Sequence, residues 1–195
     1  MTAPGKIKAT PSALLQSGIE TCEFRSQSVS LAEINPISIV RIDALPGSSV
    51  NGLPEISGAC IDGDSTTLCL RPEEWLVVSE TLTSEDLLLR AQSQFESDLV
   101  FASDNSDGLA VFRVEGSGAA WLLSKLSGLD FIAGQAGAEH CAQTLMLNLD
   151  VLVHYRPGKD GGAIFDLFFD RSLARYFWEL LIASTPHADY LAEAF

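Results

Sequence analysis

Apolar-rich runs of five to seven residues, too short for core helices, come in pairs along this chain: TTLCLR and EWLVVS flank Arg71-Pro72-Glu73-Glu74, and AQTLML and VLVHY follow one another almost directly. Runs so close in sequence can pair only as antiparallel hairpins, because a parallel pair needs a crossover of about a dozen residues or more. Helical periodicity follows groups of strands instead of alternating with single strands. That order excludes a doubly wound parallel sheet and predicts an α+β fold of largely antiparallel sheets covered by helices.

The remaining elements fit around these hairpins. A first strand is predicted in PISIVRIDAL, where Ile37, Ile39 and Arg41 alternate with Val40 and Ile42, ending at Pro46-Gly47. Ser84 is placed as the cap of a helix with Glu85 and Asp86 in its first turn, burying Leu88, Ala91 and Phe95. The polar turn SDNSDG at 103–108 leads to the strand LAVFRVE. Ser117 then caps a helix burying Ala119, Leu122, Leu123 and Leu126. A loop with Gly134 and Gly137 precedes the second hairpin, a turn at Pro157 to Gly162 precedes AIFDLFF, and the final helix SLARYFWELLIAS is expected to stop before Pro186. The domain organisation expected is an arm and lead-in at 1–34, the α+β domain at 35–185, and a tail at 186–195. VRIDALPGS resembles FRVEGSG and TTLCLRPEEWLVVS parallels AQTLMLNLDVLVHY, which points to a degenerate duplication with halves 35–102 and 103–185.

Composition closes off several functions. With 47% apolar and 19% charged residues, 195 residues can bury a sizeable core. Twelve Lys and Arg against 26 Asp and Glu give a formal charge of -14, a field that repels phosphate backbones and anionic lipid. Nucleic acid and membrane are therefore not expected partners. No apolar run approaches the ~20 residues that cross a bilayer, and MTAPGKIKATPSALLQSG holds no apolar segment of export-signal length; a cytoplasmic location is expected. Cys22, Cys60, Cys69 and Cys141 are scattered without a C-x-x-C and read as reduced, mostly buried thiols.

Motifs that carry chemistry fail on inspection. Gly116 and Gly118 in VEGSGAAW follow a strand and open a helix, as a dinucleotide phosphate turn requires, but Trp121 stands where the third glycine should be. In SDNSDG, Ser103 replaces the first carboxylate of a calcium loop and Val114 its closing Glu. His140, His154 and His187 lie apart, without the ligand spacing of zinc. HCAQT, at 140–144, offers a thiol beside a histidine and a threonine, yet a reactive Cys needs nearby cations or a helix N-terminus. Cys141 opens the run CAQTLMLNLDVLVHY, so it reads as a strand residue. No catalytic, cofactor-binding or metal-ligating residue is assigned. Asp43 and Asp166 remain as weak carboxylate candidates, a strand-end turn and a hydrogen-bonded sheet residue being the plainer readings.

The final helix carries one apolar stripe at Leu173, Tyr176, Phe177, Leu180 and Leu181 and a second at Ala174, Trp178 and Ile182. An arc this wide suits either a helix wedged between two layers of its own chain or a docking face for another subunit. Ala174, Trp178 and Ile182 are taken as the candidate interface, with the wedge as the alternative.

Taken in order, RPEEWLVV, SDGLAVFRVEGSG, CAQTLMLNLDVLVHYR and FDLFFDRSLARYFWELL resemble the gamma subunit of heterotetrameric sarcosine oxidase, a small relative of the folate-binding domain of the glycine-cleavage aminomethyltransferase. The match spans roughly residues 35 to 185, and CAQT with V-L-x-H-x-R and F-D-L-x-x-x-R-S-x-A-x-Y-x-W-x-L-L are its most specific parts. What the resemblance implies is an aminomethyltransferase-like domain in a complex that demethylates sarcosine oxidatively to glycine, passes the one-carbon unit to tetrahydrofolate and forms hydrogen peroxide. In that family the FAD, FMN, NAD and tetrahydrofolate sites belong to the larger subunits. This chain would then be a non-catalytic partner of alpha, beta and delta subunits that supports assembly. A stand-alone folate-binding or one-carbon carrier module is the alternative, favoured if a lined cavity holds a paired carboxylate.

Overall fold

The period-two runs fold as antiparallel strands, as their spacing requires. The computed structural model describes residues 22–46, 52–94, 99–132, 139–158 and 162–194. In chain order the described elements are β1 (Glu23–Arg25), β2 (Ser30–Glu33), β3 (Ser38–Ala44), β4 (Ala59–Asp62), β5 (Ser65–Arg71), β6 (Glu74–Ser79), α1 (Ser84–Gln94), β7 (Val100–Asp104), β8 (Leu109–Glu115), α2 (Ala119–Leu126), β9 (His140–Met146), β10 (Leu149–Pro157), β11 (Ala163–Asp170) and α3 (Ala174–Ala194), with a 3-10 turn at Arg171–Leu173 before α3. Two sheets result, ordered β1-β2-β8-β11-β10-β9 and β4-β5-β6-β3-β7. Their strand pairings are antiparallel throughout.

Strand alternation assigns every layer. On β8, Phe112 and Val114 join a core with Phe165, Leu167 and Phe169 of β11, Leu122 and Leu123 of α2, and Phe177 and Leu181 of α3. The residue before Phe112, Val111, belongs with Leu152 and Phe168 to a second core, filled from the other sheet by Ile39, Leu68, Leu76 and Val78. Val40, Ile42 and Trp75 face the opposite way, onto Leu87 and Ala91 of α1. The order of layers is thus α2/α3, six-stranded sheet, five-stranded sheet, α1. Each fully buried Phe, Leu or Ile side chain contributes about 1.5–3 kcal/mol through removal from water.

A repeat is visible in the topology, one strand out of step with the sequence parallel. The meander β4-β5-β6 ends beside β3, and the meander β9-β10-β11 ends beside β8. TTLCLRPEEWLVVS, which forms β5 and β6, therefore corresponds to β10 and β11, not to the β9-β10 hairpin that its apolar pattern matches.

Four boundaries differ from expectation. Residues 23–33, assigned to the lead-in, form β1 and β2, and β2 pairs with β8 inside the six-stranded sheet. The cap of α1 is Thr83, whose hydroxyl accepts the Asp86 N–H at 3.1 Å and donates to the Asp86 carboxylate at 2.7 Å. The helix accordingly buries Leu87 and Ala91, leaves Leu88 half-buried, and Phe95 lies outside the described residues. Gly118, not Ser117, stands at the N-cap of α2. Most consequential, α3 runs through Pro186 to Ala194. Proline removes the N–H that would bond the Ile182 carbonyl, but the Thr185 hydroxyl donates to that same oxygen at 2.8 Å, so the helix continues.

The extended helix also settles which face is buried. Ala174, Phe177, Trp178, Leu181, Ser184, Thr185 and Ala188 are buried, while Tyr176 is exposed. Trp178, only 4% exposed, packs edge-on against Phe112 at 5.0 Å, and Ile182 is half-buried against the same core. Ala174 and Trp178 are therefore interior residues of this chain and Ile182 packs half-buried beside them; the packing stripe lies between the two read from the sequence.

Candidate functional site

Side-by-side pairing of β8, β11, β10 and β9 places Arg113, Asp166, His154 and Cys141 in one cross-strand row, on the face that meets the second sheet. Asp166 alternates with Phe165 and Leu167, which fill the helix-side core, so strand geometry alone drives a carboxylate between the sheets. Its burial is tolerable because it is paired. Arg113 donates Nε–H to Asp166 Oδ1 at 2.7 Å and Nη2–H to Oδ2 at 3.0 Å, and Arg156 donates Nη2–H to Oδ2 at 3.1 Å. Arg113 Nη2 also reaches Glu80 Oε1 at 2.6 Å, bridging to the end of β6 in the opposite sheet. Burial works against the Arg113 charge, but hydrogen bonds and attraction from Asp166 and Glu80 outweigh it and raise its pKa.

Beside this cluster a cavity of about 260 Å³ opens between the sheets, walled by Asp64, Thr66 and Glu80 on one side and Glu139, His154 and Arg156 on the other. His154 is buried, with Nε2 2.6 Å from Glu139 Oε1. Desolvation lowers its pKa against the opposing pull of Asp166 and Glu139, so the ring is biased to its neutral form and donates Nε2–H to the carboxylate. Among the described residues, no group of three or more His, Cys, Asp or Glu is placed to hold a metal ion.

The other sequence candidates fall elsewhere. Cys141 is buried and donates its S–H towards the carbonyls of Cys69 and Gly58, at 3.3 and 3.4 Å. Burial pushes its thiol up to about 11, the opposite of what a nucleophile needs. HCAQT is a strand that ties the two sheets together, as Gln143 confirms by donating to the Leu70 carbonyl at 2.9 Å. Asp43, 43% exposed, is held by Arg41 in an ion pair of 2.9 Å, and Arg41 also meets Glu74 at 3.0 Å. The cluster around Asp43 belongs to the five-stranded sheet and is separate from Asp166.

The glycines of VEGSG serve packing. Gly116 adopts φ +111°, and a Cβ there would sit 2.2 Å from the Ser28 carbonyl oxygen. The Gly118 N–H donates to that oxygen at 3.0 Å, so the chain's own carbonyl occupies the helix start that a phosphate would need. Ser28 is in turn held by Asp189 of α3, which accepts from its N–H at 2.8 Å and its hydroxyl at 2.6 Å.

What sequence reasoning missed is the partnership of Asp166. Arg113 sits in register with it on β8 and Arg156 lies diagonally on β10, two residues beyond its partner His154, and only the pairing of β8, β11 and β10, which no local pattern encodes, brings them together. The chemistry that results is a charge clamp: three guanidinium N–H donors converge on one carboxylate and leave it already satisfied.

No protein-family model and no curated protein matches the sequence. Solved structures do share the fold. A chain of the heterotetrameric sarcosine oxidase from Corynebacterium sp. U-96, solved with pyrrole 2-carboxylate, superposes with a TM-score of 0.71 at 21% identity, over 93% of this chain and 96% of that one. The glycine cleavage system aminomethyltransferase T from Bartonella henselae gives a TM-score of 0.57 at 13% identity, over 92% of this chain but 54% of its own length. The chain therefore has the α+β fold common to a sarcosine oxidase chain and to about half of an aminomethyltransferase.

Proposed function

We propose that this chain is the non-catalytic gamma subunit of a heterotetrameric, flavin-dependent sarcosine oxidase and supports assembly of that complex in the cytoplasm. The observation that carries this reading is the reciprocal coverage: 93% of this chain matches 96% of a sarcosine oxidase chain, whereas it spans 54% of the aminomethyltransferase. On this reading the alpha, beta and delta subunits are its partners and hold FAD, FMN, NAD and tetrahydrofolate. A stand-alone folate or one-carbon carrier is the second reading, because the cavity between the sheets is lined by Asp166, a carboxylate paired with Arg113 and Arg156, and calorimetry with tetrahydrofolate separates it from the first. Asp166 and Asp43 are both engaged by guanidinium groups. Co-expression with the three larger subunits tests the proposal. The expected result is a stoichiometric complex that oxidises sarcosine, with the lone chain colourless and inactive. Flavin retained by the purified single chain, or micromolar tetrahydrofolate binding to it by calorimetry, would overturn it.

A further inference from the structure

Resting on that reading, we infer that a larger subunit docks at the open end of the groove between the sheets, with the β9-β10 turn as its lip, through an apolar segment flanked by lysine or arginine. The groove lies at the opposite end of β10 and β11 from the charge cluster and encloses about 780 Å³. Leu76, Leu152 and Phe168 of the inter-sheet core also line it. Leu145 at its rim is 57% exposed.

The lip supplies a second observation. Leu147 holds φ +56° in the two-residue turn between Met146 and Leu149, a conformation that glycine or asparagine adopts readily and a leucine does not. Its N–H donates to the Leu126 carbonyl at 2.8 Å, which locks the turn against the end of α2. Yet the residue is 50% exposed, so the strained turn holds a leucine half in solvent. It holds Leu147 at a rigid tip beside Asn148, the turn residue that lines the groove.

Charge identifies the occupant. Asp150 and Asp170 line the groove, and among the described residues no Lys, Arg or His does. Hydrogen bonds from the Ser172 hydroxyl and N–H lower the Asp170 pKa and keep it ionised. A second copy of this chain would bring the same carboxylates and a net charge of -14 against them, so a basic-flanked apolar segment of a different protein fits and self-association does not.

The test compares wild type with Leu147→Gly, Asp150→Lys and a control, Leu89→Asp on the exposed outer face of α1, each co-expressed with the larger subunits and each also melted alone. Leu147→Gly relieves backbone strain, so it is expected to keep or raise the melting temperature while weakening assembly at least tenfold. Asp150→Lys is expected to weaken assembly similarly, and Leu89→Asp to leave it unchanged. Wild-type assembly with Leu147→Gly and Asp150→Lys assembling equally well overturns the groove while leaving the subunit reading intact. Failure of the wild-type chain to assemble removes that reading and the partner named here with it. A wild-type homodimer abolished by Asp150→Lys also overturns the inference.

Discussion

Replacing Trp178 by alanine separates the two roles its helix allows. The indole is almost entirely buried and stacks edge-on against Phe112, itself in contact with Phe169 at 4.8 Å and Phe177 at 6.1 Å. Burying a Trp removes on the order of 200 Å² from water, which at about 25 cal/mol per Å² is roughly 5 kcal/mol. Against this stands the indole N–H, buried without a hydrogen-bond partner, whose desolvation costs about 1–3 kcal/mol. The expected loss for Trp178→Ala is therefore about 3 kcal/mol, the low end of the range for aromatic truncation in a core. In a chain of this size that lowers the melting temperature by roughly 6–12 °C. Trp178→Phe keeps most of the packed ring and deletes the orphaned donor, so it should stay within about 1 kcal/mol of wild type. Urea unfolding of the two variants, with thermal melts alongside, measures both. A loss below about 1 kcal/mol for Trp178→Ala, accompanied by weakened complex formation, would refute the core assignment and restore the helix as an interface.

Thr185→Val, isosteric and buried, should cost about 1 kcal/mol by orphaning the Ile182 carbonyl, and adding Pro186→Ala should recover it by restoring the backbone donor; equilibrium denaturation of the single and double variants decides. Arg113→Ala should destabilise by about 3 kcal/mol, the low end for breaking a buried ion pair, since Arg156 still neutralises Asp166; the denaturation midpoint reads this directly. For His154 the folded pKa lies below that of the unfolded ring, near about 6.5. The unfolded chain therefore takes up a proton that the folded one resists, and stability present above that pH is lost as pH falls through it. His154→Gln should flatten the difference in melting temperature between pH 7.5 and 5.5 (roughly one unit either side of the free ring), and an unchanged slope would count against the neutral ring.

Local pattern revealed most elements because short apolar runs and polar turns are read without knowing what lies across the sheet. The strands at Leu109–Glu115 and Ala163–Asp170 are instances. Failures occurred where a hydrogen bond or a packing contact outside the apolar pattern decides a local outcome. Pro186 signals a helix end, but Thr185 supplies the missing donor and the packing of Ala188 carries the helix onward. Phe24 and Leu31 look like lead-in because their runs are three and four residues long; pairing with β8 makes them strands. Asp166 was legible as a hydrogen-bonded sheet residue, yet its clamp depends on which strands neighbour β11. Trp178 was visible as surplus apolar surface, and the choice between core and interface turned on a helix rotation that two overlapping stripes leave undetermined.

The bond from Asp189 to the turn at Ser28 has a consequence for the order of events during synthesis. Residues 26–28 press against the start of α2 and are held by a carboxylate 161 positions later in the chain. The β1-β2 hairpin can align with β8 once that strand has emerged, but its turn finds its anchor only when nearly the whole described chain has left the ribosome. Closing so long a loop is slow, since its entropic cost precedes any reward from contacts. Until then the turn that covers Gly116 and Gly118 is held only through the pairing of β2 with β8. The turn therefore stays open to competing contacts until the segment carrying Asp189 has been made.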